Sequence, residues 1–214
     1  MDRFVRAEGT ELSFEGRPLR LRGFGVGTWL NMEHFMLGIP TPDSMIRSAW
    51  RKAYGEENGR AFFDRFVDCF FGEEDCAYLK RIGVNFIRVP FNYRLLVDDQ
   101  TGDFLEPGFA LLKRLLDLCE KHQIFCMPDL HAAPGGQNPD WHSDNRTGVP
   151  QFWEFVLFRE KTAKLWGEIA RRLCGYEYLL GYDLLDEPAM ASWDALNDFY
   201  AQAISEIRAH DPFH

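Results

Sequence analysis

The feature that most constrains this chain is a recurring order of buried strand, polar strand end and amphipathic helix. "VNFIRVPF" (84–91) and "IFCMPDL" (124–130) are nearly continuous apolar runs, the pattern of strands covered on both faces. "YLLGYDLL" (178–185) reads the same way. Between these runs lie "PGFALLKRLLDLCEKHQ", with Pro107 near its start, and "QFWEFVLFREKTAKLWGEIARRLCG". Both space their apolar residues by three and four, which marks helices. Strands that alternate with crossover helices form a parallel sheet, and its working face lies at the strands' carboxyl ends.

The expected barrel-type strands span about 19–25, 84–90, 124–130 and 180–185. A β-hairpin region with turns at Gly9 and Gly16 precedes them, and a helical insertion occupies about 42–71. The helix in "EEDCAYLKRIG" ends at Gly83, and "SWDALNDFYAQAISEIRAH" forms the last one. Four βα units are half of a (β/α)8 TIM barrel, which takes ~250 residues when complete. The expectation is therefore one α/β unit, residues 1–214, forming the N-terminal half of such a barrel and truncated after its fourth helix. Its outer strands would expose unpaired edges, a route to self-association.

Composition narrows the function classes. A net charge of −9 argues against nucleic acid and against anionic membrane surfaces as partners. No segment approaches the ~20 apolar residues of a membrane span. The N-terminal stretch has no apolar run of signal-peptide type, which gives a cytoplasmic expectation. The five cysteines are scattered and odd in number, which fits free thiols in a reducing compartment. "APGGQN" lacks the Lys-Ser/Thr of a phosphate loop and no GxGxxG is present, so no cofactor is implied.

The strand ends carry the chemistry. Trp29, Asn31, Glu33 and His34 follow the first strand. Arg88, Asn92 and Tyr93 mark the second, while His131, Gln137, Asn138, Trp141 and His142 follow the third. Asp186 and Glu187 end the fourth. Indoles that stack on sugar C–H faces, beside carboxylates and amides that bond hydroxyls, make a polyhydroxyl-binding surface. Plainer readings stand beside this one. Arg88 is a buried ion-pair residue, His131 a core histidine, and Trp29 and Trp141 packing residues. Trp50, Trp153, Trp166 and Trp193 fall on expected helices and read as structural. His131, His142 and Asp144 open a metal alternative, but their spacing matches no compact motif and no metal is assigned.

Taken together, the motifs resemble glycoside hydrolase family 5, the cellulase-like retaining β-glycosidases, and within it the exo-glucanase-like branch. "VPFNYR" is similar to the family's Arg-Val-Pro strand end, with Arg88 as its arginine. "DLHAAPGGQN" resembles the branch's Asp-Leu-His loop, which gives His131 and Asn138. "GTWLNME" resembles its Gly-Gly-Trp-Leu-x-x-Glu segment, which makes Glu33 a sugar contact. "YDLLDEP" is similar to the strand-four Asn-Glu-Pro motif.

The resemblance implies that Glu187 is the acid/base and Asp186 the contact to the sugar 2-hydroxyl. Arg88 would support the nucleophile, while Glu33, His131, Asn138, Trp29 and Trp141 would bind substrate. It also implies an oligo- or polysaccharide substrate of β-glucan or β-glucoside type. The family's nucleophile comes from a strand-seven glutamate, which lies outside this chain, so the 214 residues alone are expected to be inactive. A carbohydrate-binding half-barrel without catalysis is the competing reading. The family has asparagine where Asp186 stands, and an ionised aspartate only accepts hydrogen bonds. On sequence alone, Asp186→Asn in a completed enzyme is expected to raise activity.

Overall fold

The computed structural model describes residues 3–214. At the N-terminus β1 (Arg6–Glu8), β2 (Glu11–Phe14) and β3 (Arg17–Leu19) form an antiparallel meander, one strand more than a hairpin. The expected turns sit between them, with Gly9 and Gly16 at φ 65° and 71°.

A parallel sheet follows, in the order β4 (Gly23–Gly25), β5 (Phe86–Asn92) and β6 (Phe125–Ala132). The register aligns Gly25 with Arg88 and Arg88 with Met127. The first expected strand, 19–25, is divided: Leu19 closes the meander and only Gly23–Gly25 enters the parallel sheet. Asn85 explains the gap. Its Oδ1 accepts the Arg22 N–H at 2.7 Å and its Nδ2 donates to the Arg20 carbonyl at 2.8 Å. A side chain thus satisfies the backbone there in place of a ladder.

The fourth expected strand, 180–185, is not a regular strand. Two parallel bridges, Cys126 with Leu179 and Asp129 with Asp183, fix it against β6. Between them the register advances by one residue, a bulge that breaks the ladder. Pro128 lies in this gap with no N–H to give, and its carbonyl accepts from the Asp183 amide at 3.0 Å.

The helices are α1 (His34–Leu37), α2 (Asp43–Tyr54), α3 (Glu56–Phe70), α4 (Glu73–Arg81), α5 (Glu106–His122), α6 (Gln151–Glu154), α7 (Val156–Leu173) and α8 (Trp193–Arg208). The insertion expected at 42–71 is α2 and α3. The single helix expected over 151–175 is broken at the extended residue Phe155. Arg159 Nη1 takes the carbonyls of Phe152 and Trp153, at 3.0 and 2.6 Å, and so removes them from a continuous helical ladder. At the start of α5, a Cβ on Gly108 would lie 1.9 Å from the Leu95 carbonyl oxygen. Only glycine lets this helix close on the turn after β5.

Strand alternation divides core from site. Ile87, Val89 and Phe91 of β5 and Cys126 and Leu130 of β6 are buried in one hydrophobic cluster. Leu112, Leu115 and Leu116 of α5 and Trp166 and Ile169 of α7 pack into the same cluster. Arg88, Asp129 and His131 occupy the alternate positions and point to the other face. Trp166 meets Phe91 edge to face at 5.9 Å, and its Nε1 donates to the Leu184 carbonyl at 3.0 Å. That bond pins the irregular fourth segment to α7.

All five cysteines are free thiols, with Cys76, Cys119 and Cys126 buried. Among the described residues no helix is long and apolar enough to cross a membrane. Trp166→Ala is expected to lower unfolding stability by ~3–5 kcal/mol, read as a reduced urea midpoint. Trp193, read as structural from sequence, is 80% exposed. Trp193→Ala should leave that midpoint within ~0.5 kcal/mol of the parent.

Candidate active site

Arg88 forms the floor of the rim. Its Nη2 lies 2.6 Å from Asp186 Oδ1 and 3.0 Å from Asp129 Oδ1, and its Nε lies 2.8 Å from Asp183 Oδ2. One guanidinium therefore ties β5 to β6 and to the fourth segment. Burial works against its charge, but the three carboxylates outweigh burial and raise its pKa. Burial pushes the Asp129 carboxyl up to about 6, against the opposing pull of His131 and Arg88.

His131 sits on the same face of β6, two residues beyond Asp129. Its Nδ1 bonds Asp129 Oδ2 at 2.7 Å and lies 3.3 Å from Asp186 Oδ2, and its Nε2 faces Glu33 Oε2 at 3.7 Å. Burial opposes protonation, yet the bonds to Asp129 and Glu33 prevail and drive the imidazole up to about 10. It is an imidazolium at neutral pH. Glu33 is placed by the turn after β4, where its Oε1 accepts the Thr28 amide at 2.9 Å. A Cβ on Gly27 would come within 2.7 Å of that oxygen, so glycine makes room for the carboxylate. Burial raises the Glu33 pKa, and the His131 hydrogen bond and charge more than reverse this, for a net lowering.

The acid loop is clamped by side-chain amides. Gln137 Nε2 donates to the carbonyls of His131 and Asp186, at 2.8 and 3.0 Å. Asn138 Nδ2 donates to the Glu187 carbonyl at 3.1 Å, and the Asp186 amide bonds the Leu130 carbonyl at 3.1 Å. Glu187 itself has φ 40°, a left-handed conformation that costs a non-glycine residue ~1–2 kcal/mol. The side chains of this pair diverge. Asp186 turns inward to Arg88 and the histidines, while the Glu187 side chain is 74% exposed, with Oε2 3.6 Å from His142 Nε2. Burial raises the Asp186 pKa, but the His142 bond and the charges of His131 and Arg88 pull it below its ordinary value.

The structure thus brings together Arg88, Glu33, His131, Asp186 and Glu187. Trp141 stands at the lip, 40% exposed, edge-on to His34 at 5.2 Å. Two substrate-binding expectations are corrected. Trp29 is 1% exposed, packs on Phe71 at 5.3 Å and donates its Nε1 proton to the Val67 carbonyl at 2.9 Å. The turn after β4 sends it under the helical insertion, so it has no open face for a sugar. Asn138 is buried, and its Nδ2 is committed to Glu187 and His142. It holds the acid loop through the Glu187 carbonyl and does not face an open cleft.

Asp129 and Asp183 were absent from the sequence expectation, which put Gln137 and His142 on the polyhydroxyl-binding rim and His142 in the metal alternative. The i, i+2 spacing of Asp129 and His131 was the available signal for the first. Asp186 lies 2.6 Å from Arg88 and 3.3 and 3.4 Å from the rings of His131 and His142, contacts that an asparagine there would weaken.

The metal alternative changes its members. Asp144 is taken up by Ser44 N and Oγ, at 2.9 and 2.6 Å, by Asn92 Nδ2 at 3.1 Å and by Arg94. His131, His142 and Asp186 are the group spaced for an ion among the described residues, within 4.8 Å of one another. Both ring nitrogens of His131 already face carboxylates, and a ligand histidine must first lose its proton. Within the trio, His131 Nδ1 and His142 Nε2 lie 3.3 and 3.4 Å from Asp186 Oδ2.

A pH test follows for His131. Its folded pKa, about 10, lies above the ~6.5 of an unfolded histidine. Its stabilising contribution is complete below ~6.5 and gone above ~10. The urea midpoint should fall between pH 7 and pH 10, a window in which Asp129 is already ionised. His131→Gln should flatten that fall.

Comparison with known proteins places this geometry. A family model described as cellulase (glycosyl hydrolase family 5) matches residues 69–214. A β-xylosidase of Phanerodontia chrysosporium is 41% identical over 213 residues, covering 99% of this chain and 45% of that protein. Glucan 1,3-β-glucosidase 3 of Schizosaccharomyces pombe is 28% identical, covering 89% of this chain and 44% of that protein. The chain therefore spans about half the length of the curated relatives it matches. The structure of rutinosidase from Aspergillus niger superposes with a TM-score of 0.67 at 14% identity, over 90% of this chain and 60% of that one, a likeness of fold alone. With the family match running over more than half its length, this chain belongs to glycosyl hydrolase family 5, and its parallel sheet is part of a TIM-barrel fold.

Proposed function

We propose that residues 1–214 are the N-terminal half, the first four βα units, of a retaining β-glycosidase. Glu187 is the acid/base. The observation that carries this reading is an exposed carboxyl on a clamped, left-handed backbone beside the Arg88–Asp186 ion pair. A general acid needs a fixed position at the leaving oxygen, and the Gln137 and Asn138 clamps supply it. Asp186 accepts from the sugar 2-hydroxyl, Glu33 and His131 contact the glycone, and Trp141 offers a stacking edge. Arg88 supports the nucleophile.

A retaining mechanism needs a second carboxylate ~5–5.5 Å from the acid. The remaining rim carboxylates, Asp129, Asp183, Asp186 and Glu33, face Arg88 or His131. The nucleophile is therefore assigned to sequence outside this chain, as the family resemblance implies. The substrate class is a β-glucan or related β-glucoside, and the β-xylosidase relative extends it to β-xylosides.

A second reading is a non-catalytic sugar-binding half-barrel that self-associates. Its support is β4, which is exposed along its length and, among the described residues, paired only with β5.

Two assays separate these readings. The 214-residue chain alone should not turn over aryl β-glucosides or aryl β-xylosides, and turnover by it would contradict the half-barrel assignment. In a protein that continues through the second half, Glu187→Gln should cut kcat by ~10²–10⁴. The loss should be greatest for poor leaving groups, which depend most on protonation. A uniform loss across leaving groups would remove the acid/base role, and sedimentation as a dimer that binds sugar without cleaving it would favour the second reading.

A further inference from the structure

His142 is a buried titratable group at the rim to which the scheme above gives no task. It lies on a 3-10 turn, Trp141–Ser143, in the loop after β6. Its Nδ1 faces Asp140 Oδ1 at 3.1 Å. Its Nε2 meets three groups: Asn138 Nδ2 at 3.0 Å, Asp186 Oδ2 at 3.4 Å and Glu187 Oε2 at 3.6 Å.

These neighbours make opposite demands. The Asn138 amide is oriented by its other bonds, because Oδ1 accepts the Asp140 N–H at 3.0 Å and Nδ2 donates to the Glu187 carbonyl. Asn138 therefore presents a donor to Nε2, which suits a neutral ring with a lone pair there. The two carboxylates require a proton on the same nitrogen.

Asp186 Oδ2 decides between them. It is a buried oxygen with no well-formed hydrogen bond, and such an atom costs ~1–3 kcal/mol if left so. His131 Nδ1 is 3.3 Å away, but its proton is committed to Asp129 at 2.7 Å. The available donor is His142 Nε2.

We propose that His142 is a positioning residue for the acid: its Nε2 proton, directed at Asp186 Oδ2 3.4 Å away, sets a positive charge 3.6 Å from Glu187 Oε2 and so orients the Glu187 carboxyl at the rim. The proposal rests on the reading of Glu187 as acid/base for its catalytic meaning, while the ion-pair geometry stands apart from it.

The charged groups around the ring are consistent with the proton. Asp140 lies in its own loop, and Asp186 and Glu187 come from the fourth segment. Glu33, at the start of α1, is close enough to feel the His142 charge. His34 of α1 lies 3.6 Å from Asp140. The opposing cation is His131 of β6, with ring centroids 5.3 Å apart. Burial and His131 disfavour a second imidazolium, and the Asp186 and Asp140 carboxylates outweigh both.

Ring-nitrogen NMR of the 214-residue chain tests this without any turnover. The wild-type His142 midpoint should exceed the ~6.5 of free histidine, and Asp186→Asn should lower it by about one unit, a tenfold change in proton affinity. Glu187→Gln should lower it by a smaller step. Near-UV circular dichroism identifies any variant that fails to fold, and the other variant then carries the comparison. An unchanged midpoint in the folded variants, or a neutral wild-type ring with Nε2 bare at pH 6, overturns the proposal.

The pH–rate profile of the completed enzyme supplies a second readout. His142→Gln should move its alkaline limb, whereas a merely structural role would lower the rate equally at every pH. If Glu187→Gln left hydrolysis intact while the NMR coupling held, the acid/base reading would fail and the His142–Asp186 pair would stand.

Discussion

The Arg88 guanidinium is the interaction on which the rest of the site depends. Placing an arginine on the inner face of a strand is costly unless its charge is paired and its donors are used. Asp129, Asp183 and Asp186 supply the countercharge at 2.6 to 3.0 Å, and Asp183 and Asp186 accept its hydrogen bonds. The consequence is structural as well as electrostatic. The segment that carries Asp183 and Asp186 has only two isolated bridges to β6. Arg88 on one side and the Trp166 indole on the other reinforce the irregular backbone hydrogen bonds that join it to β6 and help to fix the acid loop.

Charge then propagates outward from that centre. Asp129 is shared between Arg88 and His131, and His131 in turn faces Glu33. Each charge lowers the cost of burying the next, although Asp129 Oδ1 and Asp186 Oδ2 are buried without a hydrogen-bond partner. The long loop between β6 and α6 is held in the same manner. Asn145 accepts from the amides of Thr147 and Gly148 and donates to the carbonyls of Asn138 and Val149. Asp144 anchors the loop to Ser44 of the helical insertion. Side-chain amides and carboxylates give this loop the rigidity that backbone ladders give the sheet, and so Gln137 and Asn138 can hold Glu187 in a left-handed conformation.

The legible and illegible parts of the fold differ for physical reasons. β5, β6, α5 and α8 were readable because burial leaves continuous apolar runs in strands covered on both faces and a 3.6-residue period in helices. The first and fourth expected strands were overestimated because local apolarity does not report hydrogen bonding. At Arg20–Arg22 a distant asparagine takes over the backbone, and at 179–183 a bulge opposite Pro128 breaks the ladder. Arg88, Glu33, His131, Asp186 and Glu187, which the fold gathers at one rim, were singled out because they stand in or beyond the carboxyl halves of the expected strands. Trp29 and Asn138 were misread because an indole or an amide in a loop carries no local mark of where it points.

By itself, the sequence determined the alternation of strand and helix, the burial of β5 and β6, and the adjacency of two acids at one strand end. Those are consequences of backbone geometry, which repeats over a few residues. Tertiary structure alone decided which acid turns inward, which histidine keeps its proton and which amide clamps the loop. Arg88 and Asp183 stand 95 positions apart in the chain, and no local pattern encodes that meeting. Charge states depend on what burial brings within a few ångströms, and only the folded chain brings these groups together.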